Sequence, residues 1–354
     1  MSTTAPALAR PFDPAAIWAD YQKLVQKNLK IRARDAAQQL GISEAMLVAS
    51  RPDATLLRPE FREILEALGQ LGPVMALTRN ESCVHEKRGT YPAPEFSPVG
   101  GIFHSRDIDL RFFFKPWHSV FAVREKRNGE NHYSLQFFDH AGDAIHKIWL
   151  EDESDEAAFD ALVERFASTE AWAPSDKPMP KEDNLPIDQI DKEAFLQGWR
   201  DLQDTHDFYP LLRKHKVHRL DAMRLADERL AARLSPAVTT AVLEEAAKQG
   251  VSIMVFVGNP GMIQIHTGPV QNVKALGPWI NVMDHGFNLH LRTDRVVEAW
   301  RVTKPTADGD VSSIELFDAD GELIAQFFGE RKPGKPEAEN WRALLRQLEE
   351  AHRV

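Results

Sequence analysis

Residues 134–142 read Ser-Leu-Gln-Phe-Phe-Asp-His-Ala-Gly, and residues 313–321 read Ser-Ile-Glu-Leu-Phe-Asp-Ala-Asp-Gly. The offset is 313 − 134 = 179. The same offset carries Met75 to Met254, Asn80 to Asn259, Gly89 to Gly268, Leu110 to Leu289 and Ile145 to Ile324. Matches in one order at one offset mark a duplication, and a duplicated unit must fold the same way twice. We place the copies at residues 15–155 and 193–350. Residues 156–192 form a helix and a linker rich in Pro and charge, and residues 1–14 a disordered tail. The opening stretch Met1–Ile17 carries Pro6, Pro11 and Pro14 and no apolar run, so it reads as a loose tail and not as a secretory signal.

Within each copy the pattern changes from helical to extended. Phe195, Trp199, Leu202 and His206 recur at three- and four-residue spacing, one face of an amphipathic helix. Pro210 is expected to break that helix and leave His206 near its end. Ile253–Val257 and Met262–His266 are β-rich runs joined by Gly258-Asn-Pro-Gly261, a hairpin signal. Phe287, Leu289 and Leu291 alternate with polar residues and face a core. Strands joined by short turns give an antiparallel sheet. The expected fold is α+β: a tandem duplication in which each copy is a large antiparallel sheet with packed helices.

Composition narrows the function classes. The net charge is 43 − 53 = −10, a poor match to nucleic acid or to an anionic membrane surface. Arg32–Ser43 resembles a helix-turn-helix fragment, but the acidic balance makes nucleic acid an unlikely partner. No stretch approaches the ~20 apolar residues needed to span a bilayer, so no membrane insertion is expected. Cys83 stands alone, which fits a reducing compartment and excludes an internal disulfide or a Cys-based metal cluster in one chain. Gly-x-Gly-x-x-Gly loops, Walker loops, His-Glu-x-x-His and Gly-x-Ser-x-Gly elbows are all missing.

The polar strand positions and one histidine remain. Gln264, His266, Asn288, His290 and Arg292 alternate with apolar residues and form either a solvated outer face or the lining of a ligand site. His206 on an apolar stripe is either a satisfied core residue or an axial ligand to a porphyrin iron. Arg219, Lys304 and Arg331 are ordinary surface cations on one reading and partners for propionates on the other.

Five segments settle the choice by resemblance: Ile253–Asn259, Ile263–Gly268, Phe287–Leu291, Ala299–Pro305 and Gly329–Gly334. Together with Ala76–Glu81, Val84–Glu86 and Asp107–Arg111, they resemble the cytoplasmic haem-utilisation family of HemS, ChuS and PhuS, from about Trp18 to Trp341. The resemblance implies haem b as ligand and a cytoplasmic location. It implies His206 as axial iron ligand and Arg111 as the distal residue, catalytic if the protein is an enzyme. Arg219, Phe256, Lys304, Gln326 and Arg331 would line the pocket, with haem held where the copies meet. His85 matches a family position and leaves a weak second site open. Asn259-Pro-Gly-Met262 departs from relatives that often carry a basic residue and a cysteine there, and Tyr209 stands at an aromatic or His position. Two functions follow from the resemblance. One is a carrier that accepts imported haem, with an importer and a haem oxygenase as partners. The other is an enzyme that opens the porphyrin ring with an external reductant. A haem-dependent regulator is a third class.

Overall fold

A computed structural model describes residues 11–127, 129–175, 177, 182–331 and 334–354. In the first part of the chain, helices α1 (Pro14–Lys27), α2 (Ala33–Leu40) and α3 (Glu44–Ala49) precede strand β1 (Ala54–Leu57) and helix α4 (Phe61–Ala67). Strands β2 (Pro73–Arg79), β3 (Cys83–Thr90), β4 (Glu95–Phe96), β5 (Gly100–His104), β6 (Asp109–Phe113), β7 (Trp117–Arg127), β8 (Glu130–Asp139) and β9 (Ala144–Leu150) lead to helix α5 (Glu156–Phe166). Helices α6 (Lys192–Arg200), α7 (Phe208–His215) and α8 (Arg219–Leu225) then precede β10 (Ala231–Leu234) and α9 (Val238–Gln249). The chain closes with β11 (Ile253–Asn259), β12 (Met262–Gly268), β13 (Val273–Leu276), β14 (Trp279–Asp284), β15 (Phe287–Arg292), β16 (Glu298–Lys304), β17 (Val311–Phe317), β18 (Leu323–Gly329) and α10 (Glu339–His352).

The strands form two antiparallel sheets of nine. One runs β1-β7-β8-β9-β2-β3-β15-β14-β13, the other β10-β16-β17-β18-β11-β12-β6-β5-β4. Each position in the second order is the duplicate of the same position in the first; β9 plus 179 residues is β18 at both ends. Even the irregularities repeat. The β8–β9 register shifts between Phe137 and Phe138, and the β17–β18 register between Leu316 and Phe317. Both hairpins turn on an aspartate that accepts backbone N–H bonds, Asp139 from Asp143 and Asp318 from Asp320 and Glu322. Gly142 and Gly321 follow at φ of 83° and 84°, where a β-carbon would be strained. The α+β tandem duplication expected from sequence is therefore the observed fold.

The sheet order exceeds the expectation in one respect: the copies exchange segments. One compact unit is built mostly of residues before 181 together with Asn259–Ile263, and the other takes Asn80–Glu86 into the rest. Met262 accordingly packs in the core of the first unit with Leu110, Phe112 and Phe137. Cys83 packs in that of the second with Val255, Leu289 and Trp341. Two asparagines close the exchanged turns. Asn259 Nδ2 donates to the carbonyls of Arg79 and Ile145 at 3.0 and 2.8 Å. Asn80 Nδ2 donates to those of Gly258 and Ile324 at 3.1 and 2.8 Å, the positions displaced by 179.

In the second unit, β11 and β16–β18 are covered on one face by α9 and α10 through Val242, Leu243, Leu344 and Leu348. The other face, with Trp300, Val302 and Phe317, meets Phe195, Trp199, Phe208 and Met223 of α6–α8.

Two sequence expectations need correction. Pro14 opens α1, capped by Asp13, so the helix begins inside the stretch read as loose tail; residues 1–10 lie outside the described residues. Gln264 and His266 lie on β12 in one sheet, whereas Asn288, His290 and Arg292 lie on β15 in the other, so they are not one set. The segment Arg32–Ser43 folds as α2 and the turn into α3, and α3 buries five of its residues and presents no reading face. Among the described residues no helix is long and apolar enough to cross a membrane.

We expect Asn259→Asp, which keeps the acceptor for Gly261 N–H but puts a carboxylate against two carbonyls, to lower stability by about 1–3 kcal/mol. Asn80→Asp should cost a similar amount. Chemical denaturation reads both, and unchanged midpoints would show that the exchanged turns do not depend on these amides.

Candidate functional site

The second sheet brings four strand positions into one row. Trp300 of β16 lies opposite Glu315 of β17, Glu315 opposite Gln326 of β18, and Gln326 opposite Phe256 of β11. Directly paired residues share a face, so the four side chains stand together on the side covered by α6–α8. Lys304 lies four residues beyond Trp300 on β16 and joins the same face.

Three of the sequence candidates meet at one carboxylate. Arg219, the first residue of α8, donates from Nε and Nη2 to Glu315 Oε2 and Oε1 at 2.7 and 2.8 Å. Lys304 Nζ donates to Oε1 at 3.0 Å and Gln326 Nε2 at 2.8 Å. Ser313 Oγ adds a longer bond of 3.3 Å. Glu315 is fully buried. Burial alone would raise its carboxyl, but Arg219 and Lys304 outweigh that and hold it well below the usual carboxylate range. Burial lowers the Lys304 ammonium, with Glu315 acting against the shift.

Aromatic rings enclose the cations. The Arg219 guanidinium carbon lies 5.4 Å from the ring centre of Phe208, and Lys304 Nζ lies 4.9 Å from it. Lys304 also lies 5.6 Å from Phe328, whose ring packs edge-on against Phe256 at 5.1 Å. Phe256 is half-buried and forms an apolar wall beside the polar cluster.

His206 is placed differently from the sequence expectation. Helix α6 ends at Arg200, and His206 lies on a separate 3-10 turn, Thr205–Asp207. Pro210 does not break a helix. It sits in the first turn of α7, where its missing N–H costs nothing. His206 is therefore on no apolar stripe, and its side chain is 87% exposed. Asp204 caps the turn by accepting the His206 N–H at 2.9 Å and also takes the ring Nδ1 at 2.7 Å. The backbone N–H of His206 is the main reason the Asp204 carboxyl lies below its usual value. With Nδ1 engaged by the carboxylate, Nε2 is the nitrogen left to bind a ligand. Two residues on, buried Phe208 anchors the turn to Trp199 at 4.6 Å.

Arg331 does not join the Glu315 cluster. Its Nη2 reaches Asp308 at 3.3 Å, and its charge acts on Asp204 as well. The loop holding Asp308 is tied to the His206 segment through Ala307 N–H to Gln203 O at 2.9 Å. Arg331 also faces Glu337, a carboxyl that burial pushes up to about 7. Tyr209 is half exposed, its hydroxyl 3.3 Å from Glu182.

Arg111 belongs to the first unit. On β6 its Nη1 is held by Asp109 and by the Leu110 carbonyl at 3.1 Å. Its duplicate is His290, since 290 − 111 = 179, bonded through Nδ1 to Asn281 at 2.7 Å. His85 is fully buried 4.9 Å from the Phe287 ring, which leaves a flat ligand no approach to it.

Glu315, Asp204, Asp308, Phe208 and Phe328 escaped the sequence reading. The signal for Glu315 lies in Ile314-Glu-Leu-Phe317, where a carboxylate stands among apolar strand residues. For Asp204 it lay in Asp-Thr-His, a capping residue two positions ahead of a histidine.

The model of the haemin-degrading HemS.ChuX domain matches residues 41–166 and again 216–348. The hemin transport protein HemS of Yersinia enterocolitica is 38% identical over 341 residues, covering 94% of this chain and 97% of its own. Holo-PhuS, a heme-binding protein from Pseudomonas aeruginosa, superposes with a TM-score of 0.93 at 47% identity, over 95% of this chain and 99% of its own. ChuS, described as an E. coli heme oxygenase, gives 0.86 at 36% identity, over 94% and 99%. Matched twice by one domain model and along nearly its whole length by these relatives, the chain belongs to the HemS/ChuX haem-utilisation family.

Proposed function

We propose that the chain binds one haem b, with His206 as axial ligand to the iron, and carries imported haem in the cytoplasm to a haem oxygenase. The observation that carries this reading is the state of His206. An imidazole that is 87% exposed, with one nitrogen fixed by Asp204, offers the other nitrogen in a set direction. A buried histidine would have argued the opposite.

The surroundings fit the group. A porphyrin needs apolar contact over its faces and cations at its two propionates. Phe256 and Phe328 supply apolar area, and Arg219 and Lys304 supply charge. Their shared Glu315 removes one of the two positive charges, so the cluster retains a net charge of one. Arg331, loosely held at 3.3 Å, supplies a second cation beside His206. Arg111 is the distal residue on this reading, and Asp109 fixes its guanidinium. A ligand held at an exposed turn, and not in the core, suits a protein that must release its haem to a partner.

The second reading is an enzyme, and similarity to a protein described as a heme oxygenase favours it. Bound haem would supply the oxidative chemistry in that case. The chain's own part would be unchanged: His206 anchors, Arg219, Lys304 and Arg331 orient, and Arg111 presents a charged donor on the distal side.

His206→Ala is expected to abolish saturable one-to-one hemin binding or weaken it severely, with a shifted Soret band; equal affinity and spectrum would remove His206 from the site. Glu315→Gln leaves Lys304 and Arg219 facing a neutral amide and should destabilise the fold by about 3–5 kcal/mol at neutral pH. Because the Glu315 carboxyl lies below its unfolded value of about 4.3, its contribution is present above that pH and fades as pH falls. The parent's stability should thus converge on the variant's in acid; parallel curves would refute the coupling. Carrier and enzyme separate when the haem complex is mixed with reductant and catalase. Ring opening that persists, with carbon monoxide released, marks an enzyme, and a Soret band preserved by catalase marks a carrier.

A further inference from the structure

Where β7 enters the first sheet, Trp117 pairs with Asp139 and Ser119 with Phe138, so His118 is an extra residue at a bulge. Bulges of this kind re-aim a side chain out of the regular alternation. His118 lines a small pocket with His140, Asp139, Trp172 and Ser175. The pocket encloses about 210 Å³ even with its open mouth, too small for a porphyrin. The rings of His118 and His140 lie 4.9 Å apart, tilted by 33°.

We propose that His118 and His140 form a binding site for a borderline divalent metal ion such as Zn²⁺, separate from the haem site. Three observations support it. First, His118 Nε2 is buried and has no hydrogen-bond partner among the described residues, and an imidazole nitrogen in that state has an unmet need for a ligand. Second, His140 Nδ1 is bonded to Ser175 Oγ at 2.9 Å, an arrangement that orients the ring and leaves Nε2 as the metal donor. Third, the separation is right. An ion about 2.1 Å from each nitrogen lies about 3.2 Å from each ring centre, and a near-tetrahedral angle then sets the centres about 5 Å apart.

The fold does not require these histidines. Their duplicates are Val297 and Ala319, since 297 − 118 = 319 − 140 = 179, and the second sheet forms with neither. The pair is thus a feature of the first copy alone. Asp139 borders the pocket. Among the described residues no group of three His, Cys, Asp or Glu forms a metal cage. Water must therefore complete the coordination, the mark of an exchangeable site and not of a structural one.

The test titrates tag-free, haem-free protein with Zn²⁺ against a chromogenic chelator at pH 7.5. One saturable Zn²⁺ per chain is expected, weakened about 10-fold or more in His140→Gln and in His118→Gln. Hemin titration of His140→Gln should match the parent. His140 is partly exposed, so its variant reports even if His118→Gln fails to fold. Parent protein without saturable Zn²⁺ binding, or His140→Gln with the parent's affinity, would overturn the site and leave a polar pocket that holds only water.

Discussion

The amide groups of Asn80 and Asn259 bond across the points where the two copies trade segments. A hairpin inserted beside strands it did not grow from brings carbonyls that its own neighbours cannot satisfy. An unmet buried carbonyl costs about 1–3 kcal/mol, and each amide meets two. Their side-chain oxygens bind the N–H groups of the turns they begin, Ser82 and Gly261. One residue type, repeated 179 positions apart, thereby fixes how both nine-stranded sheets are assembled. In the second sheet β11, β18 and β17, all of one copy, set Phe256 beside Gln326 and Glu315.

Within this frame the buried carboxylate of Glu315 orders the charged side chains. Arg219 and Lys304 come from different elements, a helix start and a strand end, and neither cation is cheaply buried alone. Glu315 gives them a common anchor and trims their excess charge to one. The aromatic rings of Phe208 and Phe328 add favourable contacts with the same cations. The result is a fixed, largely buried cluster instead of two mobile side chains.

Much of this was legible in the amino-acid order. The duplication is written as a constant offset, and alternation in Phe287–Leu291 marks a strand whose apolar residues face the core. The family segments pointed to Arg219, Lys304 and Gln326, which do converge. The segment exchange was not legible, because local periodicity is the same whether a strand pairs with its own copy or the other. For that reason Gln264 and Asn288 looked like neighbours on one sheet. His206 was misread because its spacing continues the stripe of Phe195 and Trp199, while Asp204 starts a new turn that resets the phase. Glu315 was passed over because a hub is a property of four elements at once, and no window of sequence contains them.

The exchange of segments has a bearing on how the molecule is made. Strand β3 ends at Thr90, but its sheet neighbour β15 ends at Arg292, 292 − 90 = 202 residues later. At translation speeds of ~5–20 residues per second, the ribosome needs roughly 10–40 s to deliver the missing partner. Through that interval the nascent chain presents a raw strand edge, Cys83 among its apolar residues, to whatever lies nearby. An uncovered strand edge is a template for wrong pairing, so the exchange confines that hazard to the interval before residue 292 is made.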